Sequence, residues 1–174
     1  MSNSFSFEEI YQLYSKQVFN LCLNYVYNAE DAQDITQETF ITIFQKLNQF
    51  QETSSLKTWI YRVTINKCLD FQKSKKTQKR FGIFISLFHS ETKEPISELA
   101  DFNHPGVRME DKEEMAILFQ AIAELSNQQK TAIILTKIDG YPQKEVAEMM
   151  NISIKAVESL IQRAKRNISK KIKQ

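Results

Sequence analysis

Near the C-terminus, Lys155, Ser159, Gln162, Arg163 and Arg166 recur at intervals that place them on one side of a helix that Ser153 can cap. Their chemistry suits DNA. Arg forks onto guanine, Gln pairs with adenine, Lys and Ser reach phosphates or base edges, and a helix N-terminus donates to a phosphate. The other side carries Ile154, Val157, Leu160, Ile161, Ala164 and Ile168, a stripe expected to be buried. A second set has the opposite sign. In DAQDITQETF, residues 31–40, Asp34, Gln37 and Glu38 share a helical face with Ile41 and Gln45. Ile35, Phe40, Ile43, Phe44 and Leu47 are expected mainly toward the core. This acidic face stands in a chain whose other distinctive segments are basic, and its sign needs a reason.

The elements that position these side chains are all helical. Apolar residues at Ile10, Leu13, Tyr14, Val18, Leu21, Cys22 and Tyr25 keep helical period from Phe7 to Tyr27. Asn28 can cap a second helix, with Glu30 and Asp31 at the positive end of its dipole, running to about Leu47. Ser54 or Ser55 can cap a third, through Leu56, Trp59, Ile60 and Val63 to about Lys73. Trp59 falls on its apolar face and is assigned to the core. From about Thr77 to Asp111 the periodicity fails. Within that stretch FGIFISLF, residues 81–88, reads as a strand or helical turn folded against a domain, in preference to a docking segment for another protein.

Beyond it, helices are expected over 113–125 and, after Ser126, over 127–138, ended by a left-handed turn at Asp139 and Gly140. Pro142 suits a first helical position. Gln143 to Met150, a turn at Asn151 and Ile152, and a helix capped by Ser153 make a helix-turn-helix. Ala147 is small where the two helices approach, and Val146, Met150, Ile152 and Val157 can fill the wedge. The predicted fold is all-α: two small helical domains joined by a linker, the second containing the helix-turn-helix.

Charge sharpens this reading. The net charge of +2 conceals segregation along the chain. Residues 1–56 hold seven acids against two lysines, and 57–80 hold eight bases against Asp70 alone. Residues 81–128 hold nine acids against three bases, 129–152 balance, and 153–174 hold seven bases against Glu158. Two basic blocks, each along a predicted helix, point to contact with a polyanion.

Other classes recede. No apolar run is long enough to span a membrane, and MSNSFSFEEI lacks the features of a signal peptide, so a cytoplasmic protein is expected. Cys22 and Cys68 are isolated and read as core thiols, with neither zinc nor a disulfide. His89 and His104 both lie in the linker, no nucleophile constellation or Gly-rich phosphate loop is present, and no catalytic residue, cofactor, metal or small-molecule substrate is expected. Asp31 reads as helix-end chemistry, and a divalent metal on Asp31, Asp34 and Glu38 lacks supporting ligands.

NAEDAQDITQETFITIFQKL, then SSLKTWIYRVTINKCLDFQKSKK, then the closing V-x-S-L-x-x-R-A-K helix resemble, in order, an extracytoplasmic-function sigma factor of bacterial RNA polymerase. The resemblance implies residues 1–76 as sigma region 2, 77–111 as linker and 112–174 as sigma region 4. It implies that Asp34, Gln37, Glu38, Ile41 and Gln45 dock on a coiled coil of the largest polymerase subunit, with the flap of the second-largest subunit as a further contact. It implies a −10 element opened and read by the loop 48–55 and the helix after it. A flipped base would sit in that loop, exposing its whole pairing edge. The candidates there are Asn48, Gln51, Ser54, Ser55, Lys57, Arg62, Asn66, Lys67, Lys73, Lys75 and Lys76. Asp70 matches a family position and can equally brace a neighbouring base. The −35 element would fall to Ser153, Lys155, Ser159, Gln162, Arg163 and Arg166.

Members of this family are often held by membrane-anchored anti-sigma proteins, and residues 81–88 are a candidate for such an interface. Glu158 and Leu160 depart from the basic residues many members carry early in the last helix, so those contacts do not transfer. The acidic linker, including Glu94 and Asp101, is expected to thread a basic polymerase channel used later by RNA. The alternative to this whole reading is a stand-alone dimeric helix-turn-helix regulator, which would bind duplex DNA without polymerase.

Overall fold

A computed structural model describes residues 5–51, 53–88 and 112–173, and all regular structure among them is helical. Helix α1, Phe7–Val26, starts at a reciprocal cap: Ser6 Oγ accepts from the Glu9 N–H at 3.2 Å, and Glu9 Oε2 accepts from the Ser6 N–H at 2.9 Å. It ends at Tyr27, a left-handed residue at φ 56° whose N–H donates to Leu23 O. Helix α2, Ala29–Lys46, begins where Asn28 Oδ1 accepts from the Asp31 N–H at 2.9 Å, and a tighter turn, Leu47–Gln49, closes it. Helix α3 spans Leu56–Phe88.

Together α1, α2 and α3 bury Ile10, Val18, Leu21, Ala32, Ile35, Phe40, Ile43 and Ile60. The buried hydroxyls of Thr39 and Thr64 are satisfied by Ile35 O and Ile60 O one turn back. Cys22 and Cys68 face each other within this core, Sγ to Sγ 3.8 Å, as free buried thiols. The hydrogen bond to Cys22, with burial, holds the Cys68 thiol well above its ordinary range.

The second half comprises α4 (Lys112–Ala123), α5 (Asn127–Ile133), α6 (Gln143–Met150) and α7 (Ile154–Ile172). Ser126 and Ser153 cap α5 and α7 through their side chains. Past Ile133 the chain widens into a π-type turn, Ile134–Ile138, closed by the Asp139 N–H on Ile134 O at 2.9 Å. Gly140, at φ 76°, supplies the left-handed step, and nothing lies within 4 Å of where its Cβ would be. Asn151, at φ 54°, makes the corner between α6 and α7, where the Ile152 N–H donates to Ala147 O at 3.0 Å. Val146, Ala147, Met149, Val157, Leu160, Ile161 and Ala164 are buried around that corner, while Met150, Ile152 and Ile168 pack at its edge.

Several positions depart from the sequence expectations. Leu13, on the apolar period of α1, is 57% exposed, and Asp139 is right-handed at φ −84°, so the left-handed step falls to Gly140. Helix α3 runs on to Phe88 instead of ending near Lys73, so the FGIFISLF backbone is helical; no proline interrupts it, and its helical hydrogen bonds continue past the basic block. Pro142 adopts ψ 144° and stands just before α6, not as its first residue, with its carbonyl accepting from the Val146 N–H at 3.1 Å. Phe44 is 63% exposed, because Ile43 beside it takes the inward position and the two point about a quarter turn apart. Ile154 is 44% exposed, lying in the first turn of α7 a full turn before the buried Val157. Glu94, Asp101, His89 and His104 lie outside the described residues, as does most of the expected linker.

The two halves pack directly together. Tyr25 of α1 hydrogen-bonds Thr131 of α5, and both are buried. Tyr61 of α3 meets Tyr141, hydroxyl to hydroxyl, at 2.6 Å, with the rings edge-on. Tyr27 lies against Phe119 of α4, ring centroids 5.2 Å apart. Buried side chains form one continuous cluster across both halves.

Candidate nucleic-acid and polymerase interfaces

On α2 the side chains of Asp34, Gln37, Glu38, Ile41 and Gln45 are all exposed, as helical phase requires once Ala32, Ile35, Thr39 and Ile43 are inside. Glu38 reaches Lys67 of α3 at 3.4 Å; Asp34 has no ion-pair partner among the described residues. Ile41 is 57% exposed, and beside it Phe44 stacks edge-on against Phe7 of α1, ring centroids 5.2 Å apart. Tyr11 and Leu13 of α1 are also exposed, with Tyr11 packed edge-on on Phe40 at 4.8 Å. The acidic face therefore adjoins an exposed aromatic rim that sequence reasoning missed. Phe7 is half-buried and in line with Tyr14, Val18 and Tyr25 of the core stripe, with Tyr11 only about 40° away, so phase alone did not separate the rim from the core. Asp31 does more than cap: its carboxylate bridges to Lys75 of α3.

The loop before α3 exposes Asn48, Gln51 and Ser55, with Ser54 half-buried. Ser55 is committed to the helix start, accepting from the Thr58 N–H at 3.1 Å and donating to the Thr58 hydroxyl at 2.9 Å. Trp59 is half-buried and leans on Phe50, ring centroids 5.2 Å apart, so it supports the loop from the core edge. Along α3 each described basic candidate has an intrachain partner. Lys57 Nζ lies 2.8 Å from Glu145 of α6 and 4.1 Å from the centre of the Tyr141 ring. Arg62 donates through two nitrogens, at 3.1 and 2.7 Å, to Glu148 O near the C-terminal end of α6. Lys67 pairs with Glu38, Lys73 with Asp70 at 3.1 Å, and Lys75 with Asp31. Asn66 is exposed and lines, with Arg62, a cleft of about 290 Å³ whose far wall carries Met149, Met150 and Asn151. The Lys76 side chain lies outside the described residues.

On α7 the face is open. Lys155, Ser159, Gln162, Arg163 and Arg166 are all exposed, and among the described residues Arg163 Nε reaches only Ser159 O of its own helix, at 3.3 Å. Ser153 spends its hydroxyl on the Ala156 N–H at 3.2 Å, so its role is to fix the helix start. Asn167 bonds Gln129 of α5 at 3.1 Å and Lys171 pairs with Glu124, which hold the helix against α4 and α5.

A short helix, a left-handed corner and a longer helix with a bare basic face constitute a helix-turn-helix DNA-binding unit, here carried beside a three-helix domain with an acidic docking-type face. Residues 10–78 match the Sigma-70 region 2 family and residues 115–168 match the Sigma-70, region 4 family. The chain is similar to the RNA polymerase sigma-H factor of Pseudomonas aeruginosa, at 27% identity over 95% of this chain and 85% of that one. It is similar as well to the ECF RNA polymerase sigma factor SigW of Bacillus subtilis, at 26% over 97% and 89%, and to the ECF sigma-E factor of Haemophilus influenzae, at 28% over 96% and 87%. The fold is that of the sigma factor RpoE solved with the anti-sigma factor NepR from Bartonella quintana, with a TM-score of 0.65 at 21% identity over 96% of both chains. CnrH, solved with the cytosolic domain of CnrY, gives a TM-score of 0.63 at 21% identity over 94% of this chain and 84% of that one.

The chain belongs to the sigma-70 family, in its extracytoplasmic-function group. It is an RNA polymerase sigma factor, which binds core polymerase and directs promoter-specific initiation of transcription. That membership decides between the two readings of the helix-turn-helix in favour of a polymerase subunit over a stand-alone regulator.

Proposed function

We propose that this sigma factor docks on core polymerase through Asp34, Gln37, Glu38, Ile41 and Gln45, with Phe44 and Tyr11 as an apolar rim. The observation that carries this is the exposure of all five side chains on one face, beside aromatic rings the core leaves uncovered. Carboxylates and amides there suit a basic coiled coil. Residues 1–76 act as region 2, 77–111 join the halves and 112–174 act as region 4. Asn48, Gln51 and the α3 side chains Lys57, Arg62, Asn66, Lys67, Lys73, Lys75 and Lys76 contact the opened −10 strand. Lys155, Ser159, Gln162, Arg163 and Arg166 contact the −35 duplex, with Ser153 setting the helix N-terminus against a phosphate. The factor works in the cytoplasm, carries no catalytic centre and leaves the chemistry to the polymerase. A sequestering anti-sigma partner is consistent with RpoE, which shares this fold and was solved in complex with the anti-sigma factor NepR.

The test is Asp34→Lys combined with Glu38→Lys. Both side chains are exposed, so helicity by circular dichroism should be unchanged. Pull-down of purified core polymerase should be abolished. Normal assembly by the double variant would overturn the docking assignment.

A further inference from the structure

Two exposed side chains of α7 suit neither the core nor a phosphate. Glu158, in the second turn, is the single acid against seven bases in residues 153–174, and it has no hydrogen-bond or ion-pair partner among the described residues. Ile154, in the first turn, is 44% exposed. An exposed isoleucine is ordinary by itself. This one stands four residues before Glu158, and Ile154, Glu158 and Gln162 form one strip along the basic face, with Lys155 and Ser159 beside it. The first turns of the second helix are the part of a helix-turn-helix that meets base edges.

A carboxylate on a phosphate-binding face is repelled by every phosphate near it, so it favours DNA only where a base offers it a donor. In the major groove the exposed edge of guanine presents acceptors alone, and thymine presents an acceptor and a methyl group. Adenine sets its N7 acceptor beside the N6 donor, which opposes the second carboxylate oxygen. Cytosine presents the N4 donor with no acceptor beside it. The thymine methyl is in turn the apolar feature of the groove that an isoleucine can cover. Four residues of helix advance about 6 Å, or about two base-pair steps. We propose that Glu158 and Ile154 are specificity-determining residues of the duplex contact: Glu158 accepts from N4 of a cytosine, and Ile154 covers a thymine methyl about two steps away. This inference rests on the assignment of the α7 face to the −35 duplex. Lys155, Arg163 and Arg166 then supply attraction to any sequence, and Glu158 weakens binding to every site that lacks the cytosine.

The experiment uses holoenzyme assembled from the full chain and purified core polymerase, with a duplex library randomised through both promoter elements. Bound duplexes are sequenced for the parent, Glu158→Ala, Glu158→Gln and Ile154→Ala. Both positions are exposed, so circular dichroism should be unchanged. The parent should enrich a C·G pair and, about two steps away, a T·A pair. Glu158→Ala should lose about tenfold of discrimination at the C·G position alone, by binding the other bases more tightly. Glu158→Gln should turn that position toward adenine, whose donor and acceptor match an amide. Deoxyuridine in place of the enriched thymine, lacking only the methyl group, should weaken the parent about fourfold and leave Ile154→Ala unaffected. A Glu158→Ala variant that keeps the parent's base preferences, or loses them at every position, overturns the Glu158 assignment, and loss of a preference other than cytosine overturns the choice of base. Equal sensitivity of the parent and Ile154→Ala to deoxyuridine overturns the Ile154 assignment. Arg163→Ala with Arg166→Ala tests the underlying reading separately. Unchanged affinity in that variant means that α7 does not face the duplex. Weaker binding to all sequences there, with Glu158→Ala still selecting as the parent does, means that α7 faces the duplex and Glu158 does not read it.

Discussion

Helices α3 and α7 carry basic blocks of nearly equal weight, and they stand in opposite conditions. On α7, Lys155, Gln162 and Arg166 have no hydrogen-bond or ion-pair partner among the described residues. On α3, Lys57, Arg62, Lys67, Lys73 and Lys75 are each tied to an acid or a carbonyl, two of them across the boundary between the halves. A charge count cannot separate such cases. On the proposed assignment, the α7 face is free to meet duplex DNA, whereas the α3 side chains are neutralised within the chain and would have to exchange partners to meet a strand. The difference suits their targets. A duplex offers its phosphates from the outset, while the −10 strand exists only after polymerase has begun to open the DNA.

The open helix should give the largest effect. Replacing Arg163 and Arg166 together by Ala should weaken duplex promoter binding by the polymerase complex at least about tenfold, and reduce the salt slope by about one for each phosphate that is no longer neutralised. Unchanged promoter binding would mean that the bare face of α7 is not the duplex-binding face, and the contrast with α3 would fail.

The boundary between the halves should respond to pH. Asp139, at the end of the π-type turn, accepts from Asn24 Nδ2 at 3.1 Å, and its other oxygen is buried with no partner among the described residues. Burial raises its pKa to about 6, partly offset by the Asn24 bond. The ionisable groups facing it are Tyr25 of α1 and Tyr61 of α3, both held neutral by burial far above physiological pH. A raised carboxyl pKa means the chain takes up a proton on folding. The contribution of Asp139 to stability is thus fully present below the ordinary Asp pKa and is lost as pH rises through about 6. Between pH 7 and pH 5 the folded-to-unfolded ratio, read by denaturant unfolding, should gain about tenfold from this group. Asp139→Asn should abolish the dependence, and a persisting dependence would place the titration elsewhere.

The smallest effect is expected from Tyr141→Phe, which keeps the ring against Tyr61 and Lys57 and deletes one hydroxyl. Removing one such hydrogen bond costs about 1 kcal/mol, or about fivefold in the folded-to-unfolded ratio. Denaturant unfolding reads this directly. No change would mean that the tyrosine pair is held by ring packing alone.

Much of this architecture is legible in the sequence because its determinants are local. Asn28, Ser126 and Ser153 cap the helices they precede, and Gly140 and Asn151 take the left-handed corners. The outward faces of α2 and α7 follow from phase alone. Errors fall at Phe44 and Ile154, near the ends of their helices, and at Leu13 inside α1, apolar residues that no partner helix covers. The contacts between the halves join residues 80 to 115 positions apart, as in Tyr61–Tyr141 and Asn24–Asp139, and no local pattern announces them. Buried polar side chains such as Asn24 and Thr131 were their only local trace, and each reads alone as an ordinary surface residue.

One chain thus supplies both the polymerase attachment and the promoter contacts, and run-off transcription with purified core polymerase, this chain and a promoter-bearing template tests that directly. Promoter-dependent RNA is expected with the parent chain. None is expected without it or with Asp34→Lys/Glu38→Lys, and much less is expected with the Arg163, Arg166 double variant. Tight duplex binding by the chain alone, with no RNA made when core polymerase is added, would contradict this assignment.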